Sequence, residues 1–422
     1  MWQTARHTIL FFIVSVLMCM LPTGSSALQP NTIYGANADV TPPSTFIIPC
    51  TTLGYSVDAT GSFTAFGDTP VLNQAVVEHT RRDERIGYDV TRNNTNSTEV
   101  WAYAYNAATM GLLSSTQLQV FGQLDYGNRV VAVYNNALYL VRVVNAGRLG
   151  CTALRRCMSL SRVTQDGTFT QGTPIDLVTS DIFGLDDVSI DTDGTTYVAF
   201  ASATGRRLAI LSANSLSLIG FGPDFAINGS GKFATVQEGT PFIYIGYQDA
   251  SRTVQVFAKG TTTPLITSSF AFSGINVQQA LTVATSQNAV VGLSSTVGGT
   301  PANMQYRDAT TFSTISSMQS YPLASDGSAS TGGSYYDSVN NKIHTFRTDG
   351  GGGNPSIIRN TFSTSALTIE ERFSCGTPCN SGLFRAYDFS PSTLRLYVGS
   401  ISGTTITNTR IKICATGGPS AG

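Results

Sequence analysis

Three carboxylates, Glu84, Asp186 and Asp187, and four cations, Arg85, Arg129, Lys232 and Arg385, stand at the starts of apolar runs of β type. Two carboxylates held at a set separation are what glycoside hydrolysis needs, and a ring of repeats would bring distant ones together around its axis. Serine nucleophile chemistry in its commonest setting needs G-x-S-x-G on a sharp strand-to-helix turn, and that spacing occurs only at Gly418-Pro419-Ser420-Ala421-Gly422, in the tail after the last predicted strand. Imidazoles are few: beyond His7 near the N-terminus, the chain has His79 and His344. His344 sits in KIHTF, which reads as a strand with a packed histidine. His79 opens the densest charge cluster, His79-Thr80-Arg81-Arg82-Asp83-Glu84-Arg85, which reads as an ion-paired, solvated loop leading into an inner strand. Asp191-Thr192-Asp193-Gly194 begins like a calcium loop, but the later carboxylates of such a loop are missing and a turn is the better reading. The residues give no catalytic set, metal site or cofactor; whether the chain is an enzyme stays open, leaning to no.

The elements that must position these residues recur. An apolar stretch, a polar turn and a second apolar stretch rich in Tyr, Val and Ile return seven times, most clearly in VSIDTDGTTYVAF from Val188 to Phe200. The turns fall near residues 95, 135, 192, 239, 287, 339 and 391, a spacing of about 50 residues with a shorter first interval. A period near 50 with four short strands per unit predicts an all-β fold, a β-propeller of seven four-stranded blades, with six or eight still open. A third and a fourth strand follow each hairpin, as in RRLAILS and SLSLIGF from Arg206 to Phe221. Runs such as FIYIGY at 242–247 and LYLV at 138–141 are apolar on both faces, as a strand sandwiched between neighbouring blades must be. Asp193-Gly194, Glu238-Gly239, Asn340-Asn341 and Asn135-Asn136 supply turn residues that tolerate positive φ.

A ring has to close. Residues 383–414 supply three strands, and SFTAFGDTPV from Ser62 to Val71 is predicted to complete the last blade as its outer strand. YSVDATGSFTAF also reads as a hairpin of its own, which is the case for eight blades. Of seven Cys, six remain once Cys19 is removed with a signal peptide: Cys50, Cys151, Cys157, Cys375, Cys379 and Cys414. Six Cys allow about 15 pairings. Short loops favour Cys151-Cys157 and Cys375-Cys379, which leaves Cys50-Cys414 as a lock at the seam. CGTPC also carries a zinc reading, which two histidines and an oxidising compartment disfavour.

The compartment is read from the N-terminus. Arg6, an apolar run from Ile9 to Leu21 and Ser25-Ser26-Ala27 match a secretory signal at 1–27, leaving 28–414 as a single propeller domain and 415–422 as a flexible tail. The apolar run is short of the ~20 residues a spanning helix needs, so no membrane insertion is expected. Asn93, Asn96 and Asn228 open N-x-S/T sequons, two of them in one predicted turn. With 25 basic and 26 acidic residues, and only 12% of the chain charged, nothing attracts nucleic acid.

VSIDTDGTTYVAF resembles the first hairpin of NHL and related propeller repeats, through Asp191, Asp193, Gly194, Tyr197 and Val198. The other six hairpins resemble it in outline. The sialidase Asp-box is not met, because Ser189, Asp191 and Gly194 carry one residue too many. The resemblance implies the fold and no activity. Glu84, Arg85, Arg129, Asp186, Asp187, Lys232 and Arg385 differ from unit to unit, which favours one asymmetric site or a rim over one pocket per repeat. The sequence therefore reads as a secreted or cell-surface binding module for an extracellular protein or carbohydrate. A carbohydrate hydrolase or lyase working through channel-mouth Asp, Glu and Arg is the alternative, and a structural coat or matrix protein a further one.

Overall fold

In TTYVAFA, from Thr195 to Ala201, every side chain after the first is buried, and successive residues serve opposite neighbours. Tyr197 and Ala199 pack with Ile243, Ile245 and Tyr247 of the following repeat, while Val198 and Phe200 pack with Val141, Val143 and Leu160 of the preceding one. The period of two that usually separates core from solvent here separates one core from another, so the run is apolar throughout.

The computed structural model of the chain describes 29 strands between Tyr55 and Ile413 together with the shorter turns among them. Blade 7 takes its outermost strand from the N-terminal end, β1 (Tyr55–Thr64). Blade 1 is β2 (Val77–Arg81), β3 (Ile86–Arg92), β4 (Glu99–Asn106) and β5 (Leu112–Gln119), from the axis outward. Blade 2 is β6 (Arg129–Tyr134), β7 (Ala137–Val144), β8 (Cys157–Val163) and an outer strand broken into β9 (Phe169–Gln171) and β10 (Ile175–Asp176). Blade 3 comprises β11 (Gly184–Ile190), β12 (Thr195–Ala201), β13 (Arg206–Ser212) and β14 (Ser217–Phe221). Blade 4 comprises β15 (Ala234–Glu238), β16 (Phe242–Tyr247), β17 (Thr253–Ala258) and β18 (Pro264–Ser269). Blade 5 is built from β19 (Gln279–Ala284), β20 (Ala289–Ser294), β21 (Ala302–Asp308) and β22 (Gln319–Tyr321). Blade 6 is built from β23 (Ala329–Asp337), β24 (Lys342–Asp349), β25 (Ser356–Thr361) and β26 (Ile369–Ser374). Blade 7 is completed by β27 (Phe384–Ser390), β28 (Arg395–Ser402) and β29 (Thr405–Ile413), in the order β1-β29-β28-β27. Residues 1–54, residues 414–422 and most longer connections lie outside the described residues; for β2, β15 and β22 to β27 only the backbone is described.

All pairings within the sheets are antiparallel, and the innermost strands meet their neighbours around the ring, β2 against β6 and, at the closure, against β27. This is a β-propeller of seven blades, closed by the N-terminal strand as expected, with two differences of register. The closing strand is Tyr55–Thr64, so of the predicted segment Ser62, Phe63 and Thr64 lie in it and Ala65 adds its N–H to the Thr404 carbonyl, and YSVDATGSFT is one strand and not a hairpin. Its Gly61 is needed for close approach: a Cβ there would lie 2.4 Å from the Met110 carbonyl oxygen in the neighbouring blade. The first repeat is also shifted outward by one strand. The hairpin near residue 95 joins β3 to β4, the second and third strands of blade 1, and β2 is the innermost. That shift explains the short first interval between turns. His79 accordingly lies within β2 and not in a solvated loop.

Turn chemistry follows the sequence where it is described. Asn135 and Asn136 have φ of 48° and 59°, and Gly194 has φ of 86°. Gly239 and Asn340-Asn341 lie outside the described residues.

Candidate functional site

The innermost strand of blade 3 begins Gly184-Leu185-Asp186-Asp187, and its register against β12 skips Asp186: Leu185 faces Phe200 and Asp187 faces Ala199. Asp186 is thus the extra residue of a β-bulge, a device that re-aims a side chain. Its Oδ2 lies 2.6 Å from Arg206 Nε, at the start of β13, and the two side chains keep 4% and 13% of their exposure. Asp187 is buried, and its Oδ1 accepts the Val188 N–H at 2.9 Å. The same irregularity recurs in blade 7, where Phe384 faces Ser400, Ala386 faces Gly399 and Arg385 is the residue passed over. Two of the residues nominated from sequence therefore occupy equivalent bulges at the same end of the innermost strands. Arg129 opens β6, opposite Arg142. Glu84, Arg85 and Lys232 lie outside the described residues, and the side chains of Arg129 and Arg385 are not described. Glu84 and Arg85 fall on the connection from β2 to β3, which removes them from the start of an inner strand.

The Asp191-Asp193-Gly194-Tyr197 phrase does fold chemistry. Asp193 Oδ1 accepts the Thr195 N–H at 2.7 Å and closes the turn, while Gly194 donates its N–H to the Asp191 carbonyl. Asp191 Oδ2 lies 2.8 Å from Lys259 Nζ, and the Tyr197 hydroxyl oxygen accepts the Gly260 N–H at 2.9 Å. Both contacts tie blade 3 to the turn between the third and fourth strands of blade 4. An ammonium group beside Asp191 answers the calcium reading of this segment: the carboxylate has its cation already.

Sequence reasoning missed the most perturbed acid among the described residues. Asp89 on β3 has no exposure, and burial raises its carboxyl from the usual 3.8 to about 8, against the lowering effect of a hydrogen bond from Asn408. Its signal was available: a carboxylate inside IGYDVT, where the flanking strand is buried on both faces. Other described charges serve the blades. Arg207 stacks 4.8 Å over Phe221 and donates Nε–H to the Gly222 carbonyl. Arg142 donates to Gln171 Oε1 at 2.8 Å. Among the described residues no three His, Cys, Asp or Glu side chains converge as metal ligands.

Cys151 and Cys157 form a disulfide with Cα atoms 5.9 Å apart, as the short spacing suggested. Cys50, Cys375, Cys379 and Cys414, and the sequon residues Asn93, Asn96 and Asn228, lie outside the described residues. No helix of the described residues is long and apolar enough to cross a membrane.

No known family's model matches the chain, and no curated protein matches it. Among solved structures it is similar to one titled "Structure of Dos1 propeller", with 10% identity, a TM-score of 0.46, and coverage of 84% of this chain and 94% of that one.

Proposed function

We propose that this chain is a secreted or cell-surface binding module, which engages an extracellular protein or carbohydrate through loops on one face or at the mouth of the channel. The observation that carries this reading is the state of Asp186. A hydrolytic acid or nucleophile must be able to reach substrate and change protonation, whereas Asp186 is held by Arg206 at 2.6 Å with 4% of its side chain exposed. An acid in that position shapes the mouth and leaves neighbouring polar groups to make contacts. The NHL-like phrase supports the same reading, since its polar residues stitch blades together. Secretion, removal of residues 1–27 and glycans at Asn93, Asn96 and Asn228 belong to this proposal and rest on the sequence features described above.

The test is a broad glycan array probed with residues 28–422 of the chain, alongside Asp187→Ala and Arg385→Ala variants. Specific binding lost in both variants, with unchanged melting temperature, places the site at the mouth. Binding that both folded variants retain moves it elsewhere. A bound glycan that is then cleaved would overturn the binding-module reading in favour of a hydrolase or lyase. Absence of any glycan binding removes carbohydrate from the proposal and leaves a protein ligand, to be sought by crosslinking on intact cells.

A further inference from the structure

The contact that completes the ring buries an acid that, among the described residues, has no cation paired with it. On β29, Ile406, Asn408 and Arg410 alternate toward blade 1. Ile406 packs with Tyr103, Asn408 donates Nδ2–H to Asp89 Oδ2 at 2.6 Å, and Arg410 donates Nη1–H to the Ala107 carbonyl at 3.2 Å. Arg410 is held in turn by Asp58 of β1, with Nε 2.8 Å from Oδ2. Asn408 sits between Gly61 of β1 and Gly399 of β28 in register, and is 1% exposed.

Two oxygens are left over, Asp89 Oδ1 and Asn408 Oδ1, both buried and both without a hydrogen-bond donor. An ionised carboxylate cannot serve either of them, because it only accepts. A carboxylic acid can: its O–H donates to the amide oxygen while its carbonyl accepts the amide N–H, and the pair closes a ring of two hydrogen bonds. One proton thus satisfies both orphaned oxygens, each of which would otherwise carry the cost of an unpaired buried polar atom. We infer that the seam between blades 1 and 7 is a proton-dependent clasp, in which neutral Asp89 exchanges two hydrogen bonds with Asn408 and loss of its proton loosens the contact that closes the ring.

Among the described residues the charged and titratable groups around Asp89 are few; on β2, of which only the backbone is described, Arg81 stands opposite Gly87, two residues from Asp89. Its register partners are His79 on β2 and Tyr103 on β4, and β29 adds Arg410, which Asp58 and the Ala107 carbonyl already hold. The side chain of His79 lies outside the described residues, so the test includes it. Burial, which raises the carboxyl to about 8, agrees with a neutral acid at neutral pH. The sign follows: with its folded value above the unfolded 3.8, Asp89 stabilises the fold fully below 3.8, and this contribution is lost as pH rises toward about 8.

The experiment is denaturant unfolding at pH 5, 7 and 9 of the wild type, Asp89→Asn and His79→Gln. Asparagine cannot titrate and retains a reciprocal amide pair with Asn408. Relative to Asp89→Asn, the wild-type folding constant should fall by up to tenfold per pH unit between pH 5 and 7 and level off above about 8. His79→Gln should follow the wild type. A pH-independent difference overturns the clasp, as does a wild type that gains on Asp89→Asn with rising pH; a fall abolished by His79→Gln also overturns it and assigns Asp89 to an ion pair, because a histidine raised by a carboxylate likewise loses its contribution as pH rises. Should Asp89→Asn fail to fold, infrared spectra of wild-type protein carrying labelled aspartate decide. A protonated-acid carbonyl band at pH 7 is expected, and its absence refutes the clasp.

Discussion

Replacing Tyr244 by Phe removes one hydroxyl from the seam between blades 4 and 5 and leaves the ring that fills it. Tyr244 is wholly buried on β16, and its O–H donates to the Ala309 carbonyl at 2.5 Å, in the turn after β21. Burial first, and the charge of Asp308 second, hold the phenol above its ordinary range, so it is a donor at any working pH. Its ring packs with Val254, Val256, Leu281, Val290 and Phe312. Tyr244→Phe loses the net worth of one hydrogen bond and leaves a largely desolvated carbonyl, together about 1 to 2 kcal/mol. Tyr244→Ala also opens a cavity and should cost about 3 to 5 kcal/mol. Unfolding entropy of roughly 2 cal/mol/K per residue, over a ring of roughly 360 residues, converts these to falls in Tm of about 2 °C and about 5 °C. Calorimetry of wild type, Phe and Ala variants at pH 5 gives the order directly. A Phe variant as stable as the wild type would show that the hydroxyl contributes nothing to the seam, and one as weak as the Ala variant would show that the hydroxyl and not the ring carries it.

Two further outcomes follow from the turns and the closure. Gly194→Val places a β-branched residue at φ 86° with its Cβ 2.8 Å from Asn214 Nδ2, and should cost about 1 to 3 kcal/mol, read as a lowered denaturation midpoint, with Gly194→Asn milder. A chain beginning after Thr64 should expose the edge of β29 and lose its folded monomer in size-exclusion chromatography. A synthetic Tyr55–Thr64 peptide should restore it, because nine register pairs from Tyr55-Ile413 to Thr64-Thr405 supply the missing edge. A monomer unaffected by the deletion would remove β1 from the closure.

What could be read from sequence was whatever depends on local pattern. The hairpins from Val130, Val188, Phe233, Leu281, Ser334 and Phe384 all form the first and second strands of their blades, because period-two packing against neighbours on both sides is written into each run. The first repeat escaped for the same reason: IGYDVT and EVWAYAYN are as apolar as any inner hairpin, and only β2, whose VEHTR looks like a charged loop, shows that they belong further out. YSVDATGSFT carries a turn signal in Asp58-Ala59-Thr60-Gly61, yet it is extended because Asp58 is taken by Arg410 as a bulge and Gly61 fits against Met110. Tertiary pairing overrides the local preference there, and the pairing partner lies about 350 residues away. Asp186 was found as a candidate but not its partner, since the strand that separates it from Arg206 hides the pair from any spacing rule.

The polar residues at the seams explain how near-equivalent blades keep their order. Apolar surfaces of Val, Ile, Leu and Tyr are interchangeable among such blades, and a repeat protein built on them alone is open to misassembly. Several described seams add polar contacts of their own. Asp191 with Lys259, and Tyr197 with Gly260, join blades 3 and 4; Tyr244 with Ala309 joins blades 4 and 5; Asp89 with Asn408, and Arg410 with Ala107, join blades 7 and 1. A blade placed beside the wrong neighbour would leave a buried carboxyl, carbonyl or hydroxyl unpaired, at roughly 1 to 3 kcal/mol for each neutral group and more for a charge. Register is therefore fixed by the groups that cost most when misplaced. It also follows that Asp191 and Asp89 are committed to assembly, and that the proposed ligand site has to be sought among residues outside these seams.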